Sequence, residues 1–103
     1  SGGQKQRLAI ARMILSDPDI IIFAEATSQL DSENERLIQE AFWRVARDKT
    51  TIIIAHRLST AMRADKIIVF EKGKIIEEGS HLFLLSKKES LYKHFWDLQT
   101  SIE

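Results

Sequence analysis

The sequence predicts an α/β fold in a single domain over residues 1–103. Two short apolar, β-branched runs lie at residues 20–23 and 52–54, and their length and composition are typical of buried parallel strands. Segments with apolar residues at helical spacing flank both runs, as expected when helices connect parallel strands. No repeat or low-complexity stretch interrupts the chain, so we predict no internal domain boundary.

The first predicted elements are a helix and a strand. Apolar residues recur at helical spacing from near Gly3 to Leu15, and Pro18 lies just beyond the end of this helix. A strand over residues 19–24 follows and is apolar on both faces. We therefore expect both faces of this strand to be buried, as in a parallel sheet covered on two sides.

A second helix and a second strand follow. Asp31 or Ser32 can cap the helix, which carries one apolar stripe and ends near residues 47–48. The second strand is predicted over residues 51–55. Strand, helix and strand within about 35 residues favour parallel pairing, which brings the carboxyl ends of both strands to one edge of the sheet.

The second half predicts a hairpin between helices. A short helical turn over residues 59–63 leads to strands at 66–71 and 74–78, joined at Lys72 and Gly73. Gly79 and Ser80 break the pattern. A terminal amphipathic helix is then predicted with one apolar face and two aromatic residues beside it. The face comprises Leu91, Phe95, Leu98 and Ile102, and the aromatic residues are Tyr92 and Trp96.

Composition excludes several classes of protein. The fifteen Lys and Arg residues balance fifteen Asp and Glu residues, so we expect no nucleic-acid partner. The longest apolar runs are far shorter than the roughly 20 residues that cross a bilayer, which predicts a soluble chain. With no cysteine and only the scattered His56, His81 and His94, we predict no metal site of thiolates or histidines.

The polar residues that follow the two strands are candidates for catalysis. Glu25 comes directly after the first strand and could deprotonate a water molecule. His56 comes directly after the second strand and could donate a hydrogen bond to a developing oxyanion. On spacing alone two structural roles stay open, because Glu25 could cap the next turn and His56 could bind a backbone carbonyl.

The start of the first helix is a candidate anion site. Exposed backbone N–H groups, a hydroxyl group and the helix dipole there favour a phosphate. The residues concerned are Ser1, Gly2, Gly3 and Gln4. An ordinary helix cap is the alternative at these positions.

Four segments in fixed order carry a more specific resemblance. They read Ser-Gly-Gly-Gln-Lys-Gln-Arg at 1–7, Ile-Ile-Ile-Phe-Ala-Glu-Ala-Thr-Ser-Gln-Leu-Asp at 20–31, Ile-Ala-His-Arg-Leu-Ser-Thr at 54–60, and Gly-Lys-Ile-Ile-Glu-Glu-Gly-Ser-His at 73–81. Together they resemble the C-terminal part of the nucleotide-binding domain of ABC transporters, most closely the exporter type. The resemblance implies a partial P-loop NTPase sheet with flanking helices, followed by a C-terminal hairpin and helices.

The resemblance also implies a role for each motif. Glu25 corresponds to the catalytic carboxylate, and His56 to the switch histidine that contacts the γ-phosphate of ATP. The signature motif, which completes the ATP site of a partner domain, corresponds to Ser1, Gly2, Gly3 and Gln4. The D-loop corresponds to Ser28, Gln29, Leu30 and Asp31.

The sequence departs from the family pattern in two places. The chain contains no Gly-x-x-x-x-Gly-Lys-Ser/Thr, so the Walker A phosphate cradle is missing from these 103 residues. The family places an Asp in the Walker B strand where this chain has Ala24. A methyl group cannot bind Mg²⁺ or its water ligands, so we expect no metal ligand at this position.

By this resemblance the chain is expected to be a C-terminal fragment, natural or excised, of an exporter's ATPase domain. The parent protein would bind ATP and Mg²⁺ at the cytoplasmic face of a cell membrane, with a second nucleotide-binding domain and a transmembrane domain as partners. The fragment alone is expected to be inactive, to bind neither ATP nor Mg²⁺ tightly, and to self-associate through the open edge of the strand at 51–55.

Two other functions remain open at the level of sequence. One is a non-catalytic association module on an ABC-like scaffold, which Ala24 favours because a metal ligand is lost. The other is a soluble DNA-maintenance ATPase of the ABC type. The segments at 55–60 and 73–81 favour the exporter over that ATPase.

Overall fold

The computed structural model describes residues 2–24 and 32–102, with the side chains of residues 4–24 and 36–101. It divides into two compact units, Ser1–Ile54 and Ala55–Glu103. In the described parts of the chain, no helix is long and apolar enough to cross a membrane. The alternation of helices and strands confirms the predicted α/β class.

The described residues of the first unit form four elements in the predicted order. Its helices are α1 (Gly2–Ser16) and α2 (Ser32–Ala46), and its strands are β1 (Ile20–Ala24) and β2 (Thr50–Ile54). The two strands pair in parallel, as predicted, with Ile20 opposite Thr50 and Ala24 opposite Ile54. The strand predicted at 51–55 therefore begins and ends one residue earlier. The predicted cap at Asp31 lies outside the described residues.

One face of this sheet packs against both helices. Ile21, Phe42 and Ala46 form the buried cluster, and the rings of Phe23 and Phe42 stack with centroids 4.3 Å apart. Five partly buried side chains complete this core: Ile10, Met13, Phe23, Trp43 and Ile53. The packing follows from the strand period of two, which places Ile21, Phe23 and Ile53 on the same side.

The expectation that both faces of the strand at 19–24 are buried is wrong for the described residues. The opposite face of β1 and β2 is exposed, with Ile22 at 70% and Ile54 at 55% of full exposure, and Ile20 and Ile52 are also open. Both described helices, α1 and α2, contribute their partly buried side chains to the other face. We call these four isoleucines, Ile20, Ile22, Ile52 and Ile54, the open sheet face.

The second unit, as far as the structure describes it, has a hairpin and three helices. The strands are β3 (Ile67–Glu71) and β4 (Lys74–Gly79), and they pair in antiparallel register. Lys72 and Gly73 form the predicted two-residue turn, and both have positive φ, at 51° and 77°. Gly73 is suited to this turn because it adopts positive φ without a Cβ clash.

Helix α3 (Leu58–Ala61) precedes the hairpin, and α4 (His81–Ser86) and α5 (Leu91–Ile102) follow it. The sequence prediction missed α4 and gave only a break at Gly79 and Ser80. The helix is six residues long, too short for a periodic pattern, and Ser80 is its cap, since the Ser80 hydroxyl accepts from the Phe83 amide at 3.1 Å.

In the second unit, the core packs against a side of α5 that differs from the predicted apolar face. Ile67, Leu84 and Tyr92 form the buried cluster. Phe95 and Leu98, which belong to the predicted apolar face, are 45% and 49% exposed. The buried side of α5 instead follows Tyr92, because its ring fills the core while its hydroxyl reaches the His81 Nδ1 at 2.7 Å.

Candidate functional site

The predicted site residues fall on both units, and the structure describes part of them. Gly2, Gly3 and Gln4 lie in the first turn of α1, with the Gln4 side chain exposed. His56 is exposed in the segment between β2 and α3. Ser1 and Glu25 lie outside the described residues, as does the whole predicted D-loop: Ser28, Gln29, Leu30 and Asp31.

In the first unit, contacts at the amino-terminal ends of β1 and β2 fix the register. The Thr50 amide donates to the Asp19 carbonyl at 3.1 Å. The Lys49 ammonium group donates to the Pro18 carbonyl and to Asp17 Oδ1, each at 2.6 Å. The same ammonium group holds the pKa of the Asp17 carboxyl below its usual value, by its hydrogen bond first and by charge second.

This register aligns the carboxyl ends of the two strands. Ala24 and Ile54, the last residues of β1 and β2, lie opposite one another in the parallel ladder. Glu25 follows Ala24 directly, and His56 comes two residues after Ile54. The carboxyl ends of β1 and β2 therefore lie at the same edge of the sheet, the edge at which ligands bind in open α/β folds.

Ala24 ends β1 with an exposed methyl group. This is the position at which the family pattern places an Asp. A methyl group offers neither a metal ligand nor a hydrogen-bond acceptor, and no cluster of metal-binding side chains occurs in the part of the chain that the structure describes.

In the second unit, the segment that carries His56 is anchored immediately downstream. Arg57 is extended, with φ −118° and ψ 138°, and turns the chain into α3. The amides of Thr60 and Ala61 donate to the Arg57 carbonyl at 3.1 and 3.2 Å. Thr60 is buried, and Leu58 packs against the core of this unit.

A further contact to this segment comes from α5. The Leu58 amide donates to Gln99 Oε1 at 3.3 Å, across 41 residues of sequence. Sequence reasoning did not single out Gln99. The available signal was its spacing, because Gln99 lies seven residues after Tyr92 and three after Trp96, on the same side of α5.

The helix that carries Gln99 is itself fixed at its first turn by Glu77 on β4. Glu77 Oε1 accepts from the Tyr92 amide at 3.0 Å and from the Ser90 hydroxyl at 3.3 Å. Glu77 Oε2 accepts from the Leu91 amide at 3.1 Å. This carboxylate thus binds donors at the start of α5 that have no partner within the helix.

Comparison with known proteins gives close relatives over nearly the whole chain. No protein-family model matched the sequence. The chain is 55% identical over 100 residues to the alpha-hemolysin translocation ATP-binding protein HlyB of Escherichia coli, a match that covers 97% of this chain and 14% of that protein. It is 50% identical over 102 residues to ABC transporter B family member 14 of Arabidopsis thaliana, covering 99% and 8% respectively.

Other relatives agree with these two. A putative multidrug export ATP-binding/permease protein of Staphylococcus aureus is 54% identical over 99 residues, covering 96% of this chain and 17% of the relative. Among solved structures, a bacterial Atm1-family ABC exporter with ATP bound superposes with a TM-score of 0.79 at 47% identity. That match covers 96% of this chain and 17% of the exporter chain.

The chain spans between 8% and 17% of the length of these relatives. The names of HlyB and of the Staphylococcus aureus protein state ATP binding together with translocation or export, and the solved structure is an exporter with ATP bound. The identity of about half the residues and the TM-score of 0.79 confirm the resemblance found in the motifs and the fold class that it implied. The chain belongs to the ABC exporter family, and it spans one segment of the proteins in that family.

Proposed function

We propose that this chain forms part of an ATP-binding and ATP-hydrolysing domain, in a protein that couples hydrolysis of ATP to export across a membrane. The observation that carries the proposal is the structural match at 47% identity to an ABC exporter with ATP bound. The order of the motifs at Ser1, Glu25 and His56 supports it. A soluble DNA-maintenance ATPase is not proposed, because the relatives are named for export or translocation.

The proposed chemistry assigns one task to each motif. Glu25 orients and deprotonates the attacking water molecule, and His56 donates a hydrogen bond to the γ-phosphate as negative charge develops. The signature segment presents amide groups and a hydroxyl group to the ATP bound by a second nucleotide-binding domain. That segment comprises Ser1, Gly2, Gly3 and Gln4. The D-loop of Ser28, Gln29, Leu30 and Asp31 then contributes to the interface between the two domains.

The end of β1 does not fit the Mg²⁺ ion that this chemistry uses elsewhere in the family. Mg²⁺ requires hard oxygen ligands at short distances, and Ala24 offers a methyl group where a carboxylate would hold the metal or its water molecules. We therefore propose that the site in this chain is defective in metal coordination.

The test uses the intact protein that contains this segment, with Ala24→Asp introduced to supply a metal ligand. We expect Mg²⁺-dependent phosphate release from ATP, and a loss of about 100-fold or more when Glu25→Gln is added. ATP affinity should change little, because Glu25 acts on water. Glu71→Gln is the matched control, since Glu71 is exposed on the hairpin. Full activity with Glu25→Gln would contradict the proposal.

The same proposal extends to partners and location. The intact protein would place this domain at the cytoplasmic face of a membrane, against a second nucleotide-binding domain and a transmembrane domain. The 103 residues alone contain no Walker A motif, so we propose that they release no phosphate from ATP above the buffer rate and bind ATP and Mg²⁺ weakly.

A non-catalytic association module is the second candidate, and three observations favour it. Ala24 stands where the family has a metal ligand, and the four isoleucines of the open sheet face are exposed. In the described residues β2 pairs only with β1, so its other edge offers free backbone donors and acceptors. We propose that the isolated chain associates with a second copy through this face and edge.

A further inference from the structure

We propose that Gln99, on the last helix, is a positioning residue for His56. The inference rests on the proposed function, in which His56 contacts the γ-phosphate. Gln99 lies 43 positions after His56 in the sequence and has no role in the motifs described above.

The contact that carries the inference is the hydrogen bond from the Leu58 amide to Gln99 Oε1, at 3.3 Å. Leu58 is the first residue of α3, and its amide is one of the donors that a helix leaves without an internal partner. The Gln99 carboxamide supplies that partner from a separate helix. The bond therefore ties the start of α3 to α5.

The position of Gln99 is itself well determined. Tyr92 is 2% exposed and hydrogen-bonds His81, while the Glu77 carboxylate binds the amides of Leu91 and Tyr92. Gln99 follows Tyr92 by seven residues, two turns or about 10 Å along the same side of α5. The hairpin and the core thus hold one end of α5, and the hydrogen bond of Gln99 connects this fixed helix to α3.

The consequence for His56 follows from chain length. His56 and Leu58 are separated by two peptide links, so their Cα atoms are at most about 7 Å apart. The His56 side chain is exposed, and the position of its Cα atom is linked to that of Leu58 through the short backbone between them. Loosening the Leu58 amide should spread the positions of the imidazole, and a displacement of about 1 Å is enough to slow a positioned reaction markedly.

The first arm of the test measures the contact itself, in the intact protein that contains this segment and carries Ala24→Asp. Gln99→Leu keeps the size and helix propensity but removes the acceptor, so exchange of the Leu58 amide should become about fivefold faster, the factor expected for one hydrogen bond. Gln99→Glu keeps an acceptor and should stay within about twofold. Asp97→Leu is the control for added apolar surface on the exposed part of α5.

The second arm measures turnover in the same proteins. We expect Gln99→Leu to lower kcat for ATP about fivefold with KM nearly unchanged. Gln99→Glu should keep kcat close to that of the protein with Gln99. In a His56→Ala background, Gln99→Leu should have no further effect, because the group that it positions is gone. Unchanged exchange of the Tyr92 amide verifies that α5 remains folded in each variant.

Three results would overturn the inference. If His56→Ala lowers kcat but Gln99→Leu does not, Gln99 does not position His56, and the proposed function stands. If His56→Ala leaves kcat unchanged, the proposed role of His56 fails and the positioning role fails with it. If Asp97→Leu slows turnover as much as Gln99→Leu, the effect belongs to the surface of α5 and not to the Gln99 carboxamide.

Discussion

Replacing Glu77 with leucine should lower the free energy of unfolding of the second unit more than a substitution at an exposed residue of the hairpin does. Glu77 accepts three hydrogen bonds at the start of α5, from the amides of Leu91 and Tyr92 and from the hydroxyl of Ser90. Ser90 is buried, so its hydroxyl has little access to replacement water. Glu77→Leu therefore leaves helix-start donors without an acceptor in a region that the core packs against.

The magnitude follows from these contacts. Loss of a helix cap costs about 0.5–2 kcal/mol, and hydrogen bonds to a charged acceptor contribute about 1.5–3 kcal/mol each, reduced where water can replace the acceptor. Because Glu77 is half-buried, we expect a total of about 3 kcal/mol for Glu77→Leu. Glu77→Gln keeps one carbonyl oxygen and the shape of the side chain, and should cost about 1 kcal/mol.

Equilibrium unfolding in urea measures these values. Trp96 lies on α5, so its fluorescence in a Trp43→Phe background reports on the second unit. For an m-value of about 1–3 kcal/mol per M, Glu77→Leu should lower the midpoint by about 1–3 M.

Glu78→Leu is the matched control for Glu77→Leu. Glu78 is adjacent and exposed, and its pair with Lys66 at 3.6 Å joins two side chains that are each more than half exposed. We expect the control to cost less than about 0.5 kcal/mol. Equal midpoints for Glu77→Leu and Glu78→Leu would refute the role of Glu77 in holding the first turn of α5.

Two further predictions concern Tyr92 and the open sheet face. Burial raises the pKa of Tyr92, the only tyrosine in the chain, so the unfolded chain ionises first as the pH rises above 10 and stability falls there. Absorbance titration at alkaline pH should show late ionisation in the folded state, and Tyr92→Phe should remove this pH dependence at a cost of about 1 kcal/mol for the bond to His81. For the isolated chain, sedimentation at micromolar concentration should detect dimers or larger species that Ile22→Lys reduces, and a monodisperse unsubstituted monomer would contradict that expectation.

Local patterns predict most of the elements because their determinants lie close together in sequence. The β-branched runs gave both parallel strands to within one residue, and Lys72 and Gly73 gave the hairpin turn. Helix α4 was missed because six residues carry no periodic signal, although Ser80 was available as its cap. Turn chemistry and β-branching act locally, whereas a single short turn of helix depends on the core that it meets.

The packed face of α5 and the contacts around His56 could not be predicted in the same way. Tyr92, the buried residue of α5, hydrogen-bonds His81, which lies 11 residues earlier in the sequence. The bond between Gln99 and Leu58 joins positions 41 apart. The candidate site residues came from the order of motifs in the sequence, and this order contains no information about which side chain elsewhere holds the segment after β2.

We propose that this chain is part of the catalytic framework of an exporter ATPase and lacks a metal ligand at Ala24. The most direct measurement is Mg²⁺-dependent phosphate release by the intact protein. The unsubstituted protein is compared with Ala24→Asp and with the control Ala24→Asn, whose side chain has nearly the same shape as that of Asp. We predict a rate at least about tenfold higher for Ala24→Asp only, because the carboxylate supplies a hard anionic oxygen ligand and the amide does not. An unsubstituted protein that turns over ATP as fast as Ala24→Asp, or an equal gain with Ala24→Asn, would contradict the claim.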